Sequence, residues 1–271
     1  MRALLRAARF GTGLAAARAR MALGRVPRFS GAWDTREAAL AALPPAETRG
    51  YDDPGIAEVS FEAMCQREVW DYPVLHWLHR WLPEAPRLLD AGGHMGTKRI
   101  AFGPLLDLEG VTWTVLDTPG IVAAARAAQA AGRIPADLAF VAPSGAPPET
   151  DLLLASGLMQ YVDRSLTEIV EALPARPRHI LLNKVALRPG PQIITHERLG
   201  DVRVPYRIRG HGDWARELDR LGYDTVDSWR IPDLSHRIPT HPWLGESESW
   251  GFALTARRDT GDNPAPKGET V

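Results

Sequence analysis

Asp90, Gly92, Gly93, Gly96 and Asp117 are the residues of this 271-residue sequence whose types and spacing best suit chemistry. Asp90 opens the run Asp-Ala-Gly-Gly-His-Met-Gly, and Asp117 closes the β-rich run Thr112-Trp-Thr-Val-Leu116. Glycines lack a Cβ and accept positive φ, so such a loop lets a ligand approach the backbone closely. A carboxylate at the end of the following strand can take both hydroxyls of a ribose. Strand, glycine loop, helix and acid-terminated strand together predict a site for an adenosine-bearing cofactor. The plainer alternative is a glycine turn in some other α/β protein.

The loop narrows the choice of cofactor. It lacks the G-x-G-x-x-G spacing of a dinucleotide-binding loop, and its acid precedes the first glycine. A pyrophosphate prefers bare amides at the positive end of a helix. S-adenosylmethionine presents an ammonium and a sulfonium, which a neighbouring carboxylate suits better. The pattern D-x-G-G-x-x-G resembles motif I of class I S-adenosylmethionine-dependent methyltransferases.

A second concentration of chemistry is expected at Ser156-Gly157-Leu-Met-Gln160-Tyr161, because ligands of open α/β sheets lie beyond the carboxyl ends of the strands. Gln160 is expected to hold an acceptor by hydrogen bonds. Tyr161 either packs against the cofactor, orients an acceptor hydroxyl, or plugs the junction between strand and helix. His94, His196, His211, His236 and His241 lack the i, i+4 spacing of a zinc helix, so no metal is expected. His211, between two glycines and near Asp213, is the candidate general base, with a solvated loop histidine as the alternative. His94 reads as a wall of the methionine pocket.

Several elements must position these groups. Asp34 or Thr35 can cap a helix reaching residue 43, where Pro44-Pro45 stops it. A turn cluster at residues 50–55 precedes a helical pattern at 56–64, and another helix is expected over 72–81, with Trp70, Trp77 and Trp81 as packing residues. Strands are predicted at 87–91, 111–116, 138–142, 151–155 and 179–185, with an alanine-rich helix at 121–131 and a helix capped by Ser165 or Asp163 running through Leu173. The breaker-rich stretch 143–150 cannot be a full crossover helix. Residues 193–197 and 204–208 read as short strands or an edge hairpin, and Asp213 as the cap of a helix ending at Gly222. Sixth and seventh strands at 223–229 and 250–256 flank a long proline-bearing loop. The expected fold is α/β and Rossmann-like, with a mostly parallel seven-stranded sheet, helices on both faces and an N-terminal helical extension. The expected divisions are a basic arm at 1–28, a helical cap at 29–84, a Rossmann-like domain at 85–257 and a disordered tail at 258–271.

Composition bounds the possibilities. Forty-five per cent hydrophobic residues suffice for one large core with at most a small appendage. A formal charge of −1 gives no electrostatic case for nucleic acid. The single cysteine, Cys65, excludes an intrachain disulfide and a cysteine-based zinc site, and suggests a reducing, cytoplasmic setting. Residues 1–33 contain seven arginines and no acid, interleaved with Leu4, Leu5, Leu14 and Met21. This arm reads either as a mobile extension or as a peripheral contact with the inner face of an anionic membrane.

Phe29-x-Gly31, Gly50-Tyr51-Asp52, Asp90-x-Gly-Gly-x-x-Gly96, Trp113-x-Val-x-Asp117 and Leu158-x-Gln160-Tyr161 occur in an order that resembles a largely uncharacterised family of bacterial class I methyltransferases. The resemblance spans roughly residues 29–250. It departs at Ala91 and His94, where the family has Phe and Ser, at Asp117, where it has Glu, and at Asn183-Lys184, where it has an Asp-Arg pair. What it implies is methyl transfer from S-adenosylmethionine and no particular acceptor; the expected acceptor is an unidentified small-molecule, sugar or lipid-linked one, methylated at oxygen or nitrogen. Asp90, Ala91, Gly92, Gly93, His94 and Gly96 would then hold the methionine end, Asp117 the ribose and Thr118 the adenine side. Ser156 and Gly157 would floor the methyl, Gln160, Asn183 and Trp214 would face the acceptor, and Tyr161 and His211 would be catalytic. Rival readings are a binding module of the same fold without catalysis and a nucleotide-dependent oxidoreductase.

Overall fold

The computed structural model describes residues 13–17, 19, 23, 25–44, 61–200 and 202–257. Most of the basic arm, the expected turn at 50–55 and the tail at 258–271 lie outside the described residues. From residue 29 the chain forms β1 (Phe29–Trp33), α1 (Arg36–Ala41), α2 (Phe61–Met64) and α3 (Tyr72–Trp81). The central alternation follows as β2 (Arg87–Ala91), α4 (Thr97–Phe102), β3 (Thr112–Leu116), α5 (Pro119–Ala130), β4 (Ala139–Val141), β5 (Leu152–Ser156), α6 (Leu166–Glu171) and β6 (His179–Arg188). The last third comprises β7 (Ile193–Leu199), β8 (Val202–Gly210), α7 (His211–Leu221), β9 (Tyr223–Arg237) and β10 (Glu246–Ala256).

β2 to β6 are parallel and lie in the order β4-β3-β2-β5-β6; β10 adds antiparallel to β6, and β9 antiparallel to β10. The direction of winding reverses between β2 and β5, so the crevice beyond their carboxyl ends is the place for a ligand. Strands covered on both faces need apolar side chains on both, and alternate residues divide cleanly here. Leu89, Leu153, Ala155, Ile180 and Leu182 face α6 and α7, joined by Leu166, Val170, Trp214 and Leu218. Leu88, Leu152, Leu154, Leu181, Trp113 and Val115 face α3 and α4, joined by Leu78, Trp81 and Phe102. Asp90 shares the parity of Leu88 and is therefore driven into the second of these layers. This is a Rossmann-like, doubly wound α/β fold.

Two differences from the sequence reading have physical causes. Residues 29–33, placed in a helical cap, form β1 because β7 offers them an antiparallel partner, with Phe29 opposite Glu197. The following helix is capped as expected, Thr35 accepting the Ala38 amide at 3.2 Å. The loop expected between the last two strands is the rest of a long hairpin, in which Glu246 pairs with Arg237 and Ser249 with Ile231. Pro232 fits there because it falls between Ile231 and His236, where the register of this edge strand shifts. β1, β7 and β8 form an antiparallel flap that joins the main sheet where β8 meets the end of β6, at Arg188 opposite Gly210. No described helix is long and apolar enough to cross a membrane.

Candidate cofactor and acceptor site

β2 delivers Asp90 to the switch point, where its carboxyl is 1% exposed. The Trp113 indole N–H donates to it at 3.3 Å. Burial pushes the Asp90 pKa up to about 7; the Trp113 hydrogen bond and the Lys98 charge pull the other way, and Asp117 adds to the rise. Gly93 lies directly over this acid, and a Cβ at that position would sit 2.5 Å from its carboxylate oxygen. A glycine is thus required by contact rather than by backbone angle.

Asp117 is held by the loop it faces. The His94 amide donates to one carboxylate oxygen at 2.8 Å, and the Thr118 amide to the other at 2.7 Å. His94 adopts φ 57°, the conformation that aims its amide at Asp117. Its ring is buried and stacks at 6.5 Å on Phe61.

Gly92, Asp117, Thr118, Gly157, Leu158 and Tyr161 line one cleft of about 180 Å³, roofed by Arg36 and Leu40 of α1 and by Arg203 and Pro205 of β8. Asp90 Oδ1, Thr118 Oγ1, Ser156 Oγ and Gln160 Oε1 are buried without a hydrogen-bond partner among the described residues. Buried polar atoms are rarely left unpaired. Thr118 lines the cleft itself, and the other three atoms lie behind its wall at the ends of β2 and β5. Acceptor oxygens suit an ammonium and ribose hydroxyls, and the cradle over Asp90 leaves room for no side chain, so these residues fit S-adenosylmethionine. Among the described residues, no group of His, Cys, Asp and Glu could hold a metal ion.

Three expected site residues are placed elsewhere. Trp214 was expected to face an acceptor but is 2% exposed, inside the core layer, 5.7 Å from the Phe252 ring. The cause is that α7 begins at His211, two residues before Asp213, which turns Trp214 inward. The same early start makes His211 the first residue of a helix: it is exposed, meets Trp250 edge-on at 6.1 Å, and is not among the residues lining the cleft. Asn183 is buried with its amide committed, donating to the Trp70 carbonyl at 3.2 Å and accepting from the Trp229 indole at 3.1 Å. Tyr161 does line the cleft, and its hydroxyl donates to Glu197 at 2.6 Å.

Other residues of the site carry weaker signals in the sequence. Lys98 and Asp71 form a buried ion pair with contacts at 2.9 and 2.8 Å, which fastens the turn at Val69–Asp71 to α4 beside the glycine loop. Arg36 donates to the Tyr161 carbonyl at 3.0 Å and pairs with Asp163 at 3.2 Å, tying α1 to the segment after β5. Glu197, 1% exposed, receives Tyr161 on one oxygen and Arg28 on the other at 2.7 Å.

No family model and no curated protein matches this chain. Solved structures do resemble it. The 1,6-didemethyltoxoflavin-N1-methyltransferase of Burkholderia thailandensis, bound to 1,6-didemethyltoxoflavin and S-adenosylhomocysteine, is 18% identical over 83% of this chain and 92% of its own, with a TM-score of 0.49. The glycopeptide N-methyltransferase MtfA, complexed with S-adenosyl-L-methionine, is 16% identical over 69% of this chain and 94% of its own, TM-score 0.46. Human N-acetylserotonin methyltransferase, in complex with S-adenosylmethionine, is 18% identical over 77% of this chain and 58% of its own, TM-score 0.48. All three scores lie below one half, and the fold assignment rests on the strand order.

Proposed function

We propose that this chain is an S-adenosylmethionine-dependent methyltransferase acting on a small-molecule or glycan acceptor. The observation that carries the reading is the glycine loop set between two carboxylates, Asp90 below it and Asp117 beside it, with unpaired acceptor atoms around the same crevice. When bound, S-adenosylmethionine supplies an electrophilic methyl group: the carbon–sulfur bond breaks with its electrons left on sulfur while an acceptor lone pair forms the new bond. Asp90 meets the cofactor's ammonium, and Asp117 takes the ribose hydroxyls. Ser156, Gly157 and Gln160 shape the floor on the acceptor side. The roof of α1 and β8 excludes water, which such a displacement needs together with alignment of its partners.

Calorimetric titration with S-adenosylmethionine, S-adenosylhomocysteine and NAD tests the reading. Binding of the first two and not the third is expected; the reverse order would make the protein a nucleotide-dependent oxidoreductase. Turnover of labelled methyl donor across candidate sugars, lipids and small acids then separates an enzyme from a binding module. The arginine-rich arm supports a cytoplasmic protein resting on an anionic membrane face. Co-sedimentation with anionic vesicles should therefore fall when residues 1–27 are removed.

A further inference from the structure

Lys184 occupies an unusual place. Along β6 and β10, Val185 faces Trp250 and Leu182 faces Phe252, so Asn183 and Lys184 together oppose the single residue Gly251. This is a β-bulge, a device that re-aims a side chain and is common beside active sites. Lys184 takes φ 62° within it, a conformation that is uncommon for a residue with a side chain. The bulge begins where β5 ends: Ser156 pairs with Asn183, and the Gly157 amide donates to the Asn183 carbonyl at 2.9 Å. The lysine is thereby lifted out at the carboxyl end of the sheet.

Its ammonium lies behind the glycine that lines the cleft. A Cβ on Gly157 would be 3.9 Å from Lys184 Nζ and 3.6 Å from Gln160 Nε2. Among the described residues this ammonium makes no hydrogen bond and no ion pair. The charged groups that face it are Lys98, Asp71 and Glu68. Asp71 is already matched by Lys98 on both oxygens, and Glu68 is exposed to solvent. A half-buried cation beside the expected methyl floor thus has its donors unspent.

Resting on the methyl-transfer reading above, we propose that Lys184 is the acceptor-binding cation of this site, and that the acceptor carries an anionic oxygen, a carboxylate or an ionised acidic hydroxyl, held against that ammonium. Burial and the Lys98 charge bring the Lys184 pKa down to about 8, so the group remains mostly protonated at neutral pH and presents three donors. An anion restores the charge balance that Lys98 and Asp71 leave to their neighbour.

The test uses benzoate and its neutral counterpart benzamide as probes, titrated calorimetrically into the full chain saturated with S-adenosylhomocysteine at neutral pH. Benzoate should bind at least about tenfold more tightly than benzamide. Lys184→Met should bring the two within about twofold, while Lys184→Arg should keep the preference and both variants should keep their affinity for S-adenosylhomocysteine. Equal affinity in the wild type, binding of neither probe, or a preference surviving in Lys184→Met would overturn the proposal. Should S-adenosylhomocysteine itself fail to bind, the methyltransferase reading is what falls, and the benzoate preference is read on the protein alone. Lys184→Arg guards against loss of fold, since it keeps the charge in the same bulge.

Discussion

Titrating the protein with S-adenosylhomocysteine at pH 6, 7 and 8 probes the chemistry of Asp90 directly. Its pKa of about 7 in the free protein arises first from burial. With that value the carboxyl is about 90% ionised at pH 8 and about 10% at pH 6. If the ionised form receives the ligand's ammonium, the dissociation constant should rise about tenfold from pH 8 to pH 6, equivalent to about 1.4 kcal/mol. Asp90→Asn should bind more weakly by about 1.5–3 kcal/mol at pH 8, by correspondingly less at pH 6, and should lose this pH dependence. The same group acts on the unliganded fold with the opposite sign. Its folded pKa stands above the ordinary aspartate value of 3.8, so its contribution to stability is complete below that value and is lost as pH rises through about 7. The full span corresponds to about 4 kcal/mol. Asp90→Asn should therefore melt higher than wild type at pH 8 while binding cofactor less well. A dissociation constant independent of pH in the wild type, or an unchanged slope in the variant, would refute this account of the carboxylate.

Gly93→Ala would press a methyl group against the buried Asp90 carboxylate, and should cost about 1–3 kcal/mol in stability and abolish S-adenosylhomocysteine binding, read by denaturation and calorimetry. Lys98→Met strands Asp71, which is fully buried, and should destabilise by about 3–5 kcal/mol in chemical denaturation. Lys184→Gly removes left-handed strain of roughly 1–2 kcal/mol against a glycine entropy cost of roughly 0.5–1 kcal/mol. A rise in melting temperature of about 2–4 °C is expected, since about 1 kcal/mol is gained.

The central sheet was legible because its signals are local. The apolar run Leu152-Leu-Leu-Ala155 can only be a strand covered on both sides, and the acids Asp90 and Asp117 mark strand ends without reference to anything distant. Thr35 announces its helix in the same way. What stayed hidden depends on partners far along the chain. Asp71 becomes part of the site only because α4 brings Lys98 to it. The bulge at Lys184 exists because a strand some seventy residues later supplies one residue, Gly251, against two. The prolines at 232, 239 and 242 spoke for a loop, and nothing local reveals that Pro232 falls at a register shift within an edge strand. Trp214 and His211 were misplaced for a smaller reason. Gly210-His-Gly reads as loop, yet the helix starts within it, and a two-residue shift rotates a side chain from cleft to core.

The carboxylate of Glu197 draws together three remote stretches of chain, since Arg28, Tyr161 and β7 converge on it. Shortening the protein from its amino end can therefore reach residue 27 at most before it breaks this junction. Removal of one more residue would leave a dehydrated negative charge leaning on a single phenol, and the wall of the cleft would loosen with it. An experimenter who trims the arginine-rich leader at the wrong bond would see lost activity and blame the membrane, when the fault lies in a severed clasp.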